Sequence, residues 1–200
     1  MPTSMPAQPL SQEMKTPVPG ILGLVYVTSE ILLTITKHAR TTGKSRDAQS
    51  WRLMWIVITL SMFLGIFVAG KFPAAALPDR RLFIIAGVTI FILGLAFRMY
   101  AIWRLGRFFT VNVAMAADHQ LVDSGPYRFV RHPSYTGALF AFFGIALTLG
   151  NWLSLLVVML PVFAVFVYRM NVEERALISG LGDNYRAYIA RTKRLLPLVY

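Results

Sequence analysis

Five apolar stretches mark out the chain, at roughly residues 18–36, 51–70, 82–102, 135–149 and 152–168; the segments between them are rich in Arg and Lys. A helix that crosses a bilayer needs about 20 apolar residues, with a range of about 17–25. The first three stretches meet that length. The fourth and fifth are shorter and are joined only by Gly150-Asn151, which predicts a tight helical hairpin. Beyond Glu173, the apolar positions Leu177, Ile178, Leu181, Tyr185, Tyr188 and Ile189 recur at helical spacing. They predict an amphipathic cytosolic helix running to about Arg191. Residues 1–17 carry four Pro among Ser, Thr and Gln and predict a disordered N-terminal tail. The expected fold is therefore all-α and integral to the membrane, with about five transmembrane helices and a C-terminal amphipathic helix. Residues 18–200 form its single domain.

Composition agrees with this pattern. Apolar residues make up 56% of the chain and charged residues 14%, against roughly 45–50% and about 25% in ordinary soluble domains. The net charge is +11, yet the basic residues gather beside apolar stretches and form no single basic run. That distribution points to a lipid bilayer as partner and gives no support for nucleic acid. Sixteen of the 20 Lys and Arg residues fall on the side that holds residues 37–52, 98–131 and the chain from 169 onward. By the positive-inside rule, the C-terminus lies in the cytoplasm and the N-terminus outside. With no Cys, there are no disulfides, thiolate metal ligands or cysteine nucleophiles, and His38, His119 and His132 lack metal-ligand spacing. No metal is expected.

Chemistry concentrates in residues 119–137, a polar patch dense in Arg, His and Tyr between apolar stretches. Such groups are costly beside a membrane and mark function by default. Gly125-Pro126 predicts a turn, and Pro133 suits the first turn of the fourth span. Arg131 and His132 then sit where the free N–H groups and positive end of that helix can hold an anion or a polar cofactor. Tyr127 and Tyr135 offer aromatic faces with hydroxyls for an adenine, and His119 with Leu121 and Val122 can line the same cavity. Arg169 and Glu173, four residues apart, share one helix face at the end of the last span. Two readings stand: a helix-end ion pair, or a charge pair that serves one anionic and one cationic or hydroxylated ligand. Glu30, deep in the first span, is either functional, lining an acceptor tunnel, or a protonated carboxyl bonded to a neighbouring helix; it stays outside the expected site.

The run His119-x-Leu-Val-x-Ser-Gly-x-Tyr127, then Arg131-His-Pro-Ser-Tyr135-x-Gly137, Arg169-x3-Glu173-Glu174, Leu181-Gly-x-x-Tyr185-x-x-Tyr188 and Leu-Pro197 resembles the isoprenylcysteine carboxyl methyltransferases. These belong to an integral-membrane methyltransferase superfamily that includes phospholipid N-methyltransferases. The resemblance covers residues 112–197. It implies that a cofactor half, about residues 103–197, binds S-adenosylmethionine and releases S-adenosylhomocysteine. The residues so implicated are Asn112, His119, Gln120, Leu121, Val122, Tyr127, His132, Pro133, Ser134, Tyr135 and Glu173. Arg169 matches the family's substrate-contacting arginine, and Arg131 is a second catalytic candidate, acting on the cofactor or a lipid headgroup. Gly137-Ala-Leu139 departs from the Gly-x-Gly of phospholipid enzymes.

The implied reaction is methyl transfer to the carboxylate of a lipophilic, isoprenylcysteine-like acceptor, a small molecule or a prenylated protein, at the cytosolic face. A carboxylate is already ionised at pH 7 and needs no general base. Positioning then supplies the catalysis. The alternatives are methylation of a phospholipid amine or a small thiol, or a membrane binding or transport protein without chemistry.

Overall fold

The computed structural model describes residues 17–37, 48–109 and 121–197. Six α-helices follow one another among them: α1 (Val18–Lys37), α2 (Ala48–Lys71), α3 (Arg80–Leu105), α4 (Pro133–Thr148), α5 (Trp152–Leu181) and α6 (Asp183–Arg191). Helices α1, α2, α3 and α5 are each long and apolar enough to cross a membrane. Their outward side chains include Leu24, Ile35, Leu60, Phe63 and Leu93, all more than half exposed. A skin of that size and polarity fits lipid.

Helix α4 is the inner element. Its 16 residues rise only about 24 Å, and most of them are buried against α3, α5 and α1. The approach to α3 is set by glycines. A Cβ on Gly137 would stand 2.6 Å from the Gly94 carbonyl oxygen, and one on Gly144 would stand 2.5 Å from that of Gly87. Both clashes are with backbone, so no side chain can yield to relieve them. Small residues at such seams let membrane helices meet closely. Gly137→Ala is expected to force α3 and α4 apart at a cost of about 1–3 kcal/mol, read as a lower midpoint of thermal unfolding in detergent.

The hairpin expected at Gly150-Asn151 is present. Gly150 has φ 68°, a conformation glycine adopts without a Cβ penalty. The Asn151 side chain caps α5 by accepting from the Ser154 N–H at 3.0 Å and donates to the Phe72 carbonyl at 2.8 Å. This closes the end formed by the α2–α3 and α4–α5 turns. The opposite end gathers the C-terminus of α1, the N-termini of α2 and α4, the C-terminus of α3 and the last turns of α5.

One expectation is corrected. The C-terminal amphipathic helix ends at Arg191 as expected but starts later: α5 runs unbroken for 30 residues to Leu181, and only then does Gly182, at φ 57°, turn the chain into the nine-residue α6. The charged residues 169–174 do not end the helix because protein partners satisfy them, as described below. Asn112, His119, Gln120 and residues 1–16 of the expected tail lie outside the described residues.

Candidate active site

The polar patch enters the fold as a short 3₁₀ turn (Gly125–Arg128), an extended stretch and the first turn of α4. The extended stretch is pinned by the C-terminal segment: Arg131 N–H donates to the Lys193 carbonyl at 2.8 Å and His132 N–H to the Arg194 carbonyl at 3.0 Å. Tyr127 is buried; its hydroxyl donates to the Ala101 carbonyl on α3, and its own carbonyl accepts from the Tyr188 hydroxyl of α6 at 2.6 Å. Burial pushes the Tyr127, Tyr185 and Tyr188 hydroxyls well above the usual tyrosine range. They therefore stay protonated, and those of Tyr127 and Tyr188 donate.

Two adjacent carboxylates on α5 divide the work. Glu174 is buried and receives Arg131 Nε at 2.9 Å, His132 Nε2 at 3.1 Å and Arg194 at 2.6 Å. The Arg131 guanidinium also donates to the carbonyls of Ile189 and Thr192. Arg131 and His132 are thus engaged in a knot that joins α4, α5, α6 and the C-terminal segment. Glu173 faces the other way and accepts from the Tyr135 hydroxyl at 2.9 Å. One turn earlier Arg169, only 2% exposed, donates to the Ser50 hydroxyl at the start of α2 and interacts with Tyr135 as well. Tyr135 therefore stands between Arg169 and Glu173. Its ring packs edge-on against Phe166. Pro133 and Ser134 are buried beneath it in the first turn of α4, while Leu121 and Val122 are half-buried.

A second polar group lies below this one. Glu30 on α1 receives Arg98 of α3 through both carboxylate oxygens, at 2.8 and 3.0 Å, and Arg98 also donates to the Ser134 carbonyl at 3.0 Å. Glu30 thus bonds a neighbouring helix, with the Arg98 guanidinium as its partner, and its functional reading stays open. Arg98, Ser50 and the role of Glu174 were not picked out from sequence. The signal for the first existed: opposite charges at the same distance, seven residues, from the ends of α1 and α3.

The resulting cluster joins an acceptor of hydroxyls or cations (Glu173), a buried guanidinium fit for a carboxylate (Arg169) and an aromatic hydroxyl between them. Among the described residues, no three His, Cys, Asp or Glu side chains gather as a metal site.

Comparison with known proteins meets this geometry. A sequence profile of the phospholipid methyltransferase family matches residues 82–184. The chain is 30% identical over 180 residues to protein-S-isoprenylcysteine O-methyltransferase B of Arabidopsis thaliana, covering 88% of this chain and 89% of that one. It is 37% identical over 109 residues to protein-S-isoprenylcysteine O-methyltransferase of Schizosaccharomyces pombe, covering 54% of this chain and 46% of the relative. Among solved structures, the eukaryotic intramembrane Ras methyltransferase, isoprenylcysteine carboxyl methyltransferase, superposes with a TM-score of 0.61 at 28% identity, over 72% of this chain and 52% of the other. The chain thus spans about half the length of two of these relatives and nearly all of the third. The likeness also extends well N-terminal of residue 112. The chain belongs to the isoprenylcysteine carboxyl methyltransferase family of membrane methyltransferases.

Proposed function

We propose that this protein transfers a methyl group from S-adenosylmethionine to the carboxylate of a lipophilic, isoprenylcysteine-like acceptor at the cytosolic face of the membrane. The observation that carries the reading is the Arg169–Tyr135–Glu173 cluster, polar and closely bonded at one end of an apolar bundle. The cofactor carries an ammonium, a sulfonium, ribose hydroxyls and a carboxylate. Glu173 and Tyr135 fit the cationic and hydroxylated parts, and Leu121 and Val122 offer a half-buried apolar wall. Bound there, S-adenosylmethionine supplies an activated methyl group.

The protein's part is alignment. Arg169 holds the acceptor carboxylate, whose oxygen is already a competent nucleophile. Its burial excludes water and strengthens the hold. Tyr135 fixes the spacing between acceptor and donor. Arg131 and His132 serve by holding the start of α4 through Glu174. In this reading residues 18–200 form one catalytic domain, with the cofactor half at about 103–197. Asn112, His119 and Gln120, assigned by motif, complete the cofactor shell. Removing the buried Arg98 and Arg169 and the ion-paired Arg131 from the topological count still leaves thirteen basic residues against four. The positive-inside rule therefore supports a cytoplasmic site and an external N-terminus.

The reading is tested by calorimetry of S-adenosylhomocysteine on the detergent-purified protein. An assay with a prenyl-cysteine, a phospholipid amine and a small thiol follows. Micromolar binding with methyl transfer to the prenyl-cysteine is expected. Transfer to the amine instead would move the protein toward the chemistry named by the matching family profile. No binding by folded protein would overturn the reading.

A further inference from the structure

We propose that Glu30 and Arg98 form a positioning pair for methyl transfer, gripping the peptide between Ser134 and Tyr135 from the membrane side. The inference rests on the methyltransferase reading above. The pair sits about two turns inside the spans, with side chains only 8% and 12% exposed for Arg98 and Glu30. Ionisable groups at that depth are expensive and are kept where they act.

Contact between α3 and α4 does not explain them. The glycine seam already brings α3 and α4 to backbone distance, and a buried ion pair is weak evidence for stability. What the pair does is specific. Arg98 Nε and one terminal nitrogen are taken by the two oxygens of Glu30, which orients the guanidinium plane. The other terminal nitrogen is thereby aimed at the Ser134 carbonyl, 3.0 Å away. That carbonyl belongs to the planar peptide whose nitrogen is Tyr135's. Fixing the plane fixes where the Tyr135 phenol enters the site to meet Glu173 and Arg169. Gly137 leaves room for the Arg98 stem to lie along α4, since a Cβ there would come within 2.8 Å of Arg98 Cβ. Tyr26, one turn from Glu30, packs its ring on Phe142 of α4 at 4.6 Å and shares the field of the pair. Helices α1 and α3 thus reach Tyr135 through the Ser134 carbonyl. On this proposal the pair acts through Tyr135 and not by touching cofactor or acceptor itself.

The test is a double-mutant cycle on kcat. Glu30→Leu/Arg98→Met removes both charges together, which spares the fold an orphaned ion. It is expected to keep the melting temperature and both KM values close to wild type while kcat falls about 10- to 100-fold, the penalty of a reactant misplaced by about 1 Å. Adding Tyr135→Phe should then cost much less than it does in wild type, because both changes act at one phenol. Multiplicative losses, or an apolar pair with wild-type kcat, overturn the proposal. If the double replacement does not fold, Glu30→Gln carries the test, with a kcat loss at unchanged KM expected and wild-type kcat decisive against it. A wild-type protein that methylates none of the acceptors refutes the methyltransferase reading itself. An active wild type with multiplicative losses refutes only the positioning role.

Discussion

Arg169→Lys is expected to lower kcat/KM for the acceptor by about 100-fold or more while S-adenosylhomocysteine still binds. Lysine keeps the charge but not the fork. A guanidinium can present two parallel N–H groups to a carboxylate and still bond a third partner. Arg169 needs that capacity, because it already donates to the Ser50 hydroxyl and engages Tyr135. A lysine ammonium in the same buried position has three donors and no fixed plane, so the acceptor carboxylate would be held in several orientations. Only a few of these are in line with the transferred methyl, and misalignment by about 1 Å can cost on the order of 100-fold. Initial rates at saturating cofactor, with acceptor varied, give the number. Calorimetry on the same preparation separates lost alignment from lost folding. Arg169→Lys with near-wild-type turnover would remove Arg169 from the acceptor site.

How far this could be read from sequence depends on which interaction decided each feature. The spans were legible because bilayer thickness sets a length and hydropathy sets a composition, and both are local properties. The hairpin was legible because Gly150-Asn151 leaves no room for anything else. The course of α5 was not. Arg169, Glu173 and Glu174 look, in sequence, like a helix leaving the membrane into water. Whether charges end a helix there depends on partners supplied from elsewhere: Ser50 lies 119 residues away, Tyr135 38 and Arg131 43. The same long reach hid the division of labour between the two glutamates. Nor could sequence show that Tyr127, whose face is expected to meet an adenine, also ties α3 to α6 through its hydroxyl and its carbonyl. Local spacing showed that polar residues cluster; only the fold shows which of them bond to each other.

Glu174→Ala is expected to be the most destabilising single substitution among the polar residues, and it should contrast sharply with its neighbour. The Glu174 carboxylate, 7% exposed, meets Arg131, His132 and Arg194. Removing it strands the Arg131 guanidinium and the His132 ring in a buried site without their common anion. Breaking a buried pair from one side costs about 3–5 kcal/mol, a large share of a typical stability of about 5–15 kcal/mol. For a chain of this size, that corresponds to a fall of roughly 10 °C in the unfolding midpoint. The loss should spread to α6, since Arg131 also anchors the carbonyls of Ile189 and Thr192, and faster proteolysis after residue 182 would report it. Glu173→Gln has the opposite signature. Glu173 is only half-buried, and its described bond is the single one from Tyr135, which a glutamine oxygen can still accept. The variant should therefore melt near the wild-type temperature and lose S-adenosylhomocysteine binding, because the site's anion is gone while its shape is kept. Adjacent residues with the same side chain thus separate folding from function. Unfolding at position 173 with binding intact at position 174 would reverse the two assignments and take the proposed cofactor site with it.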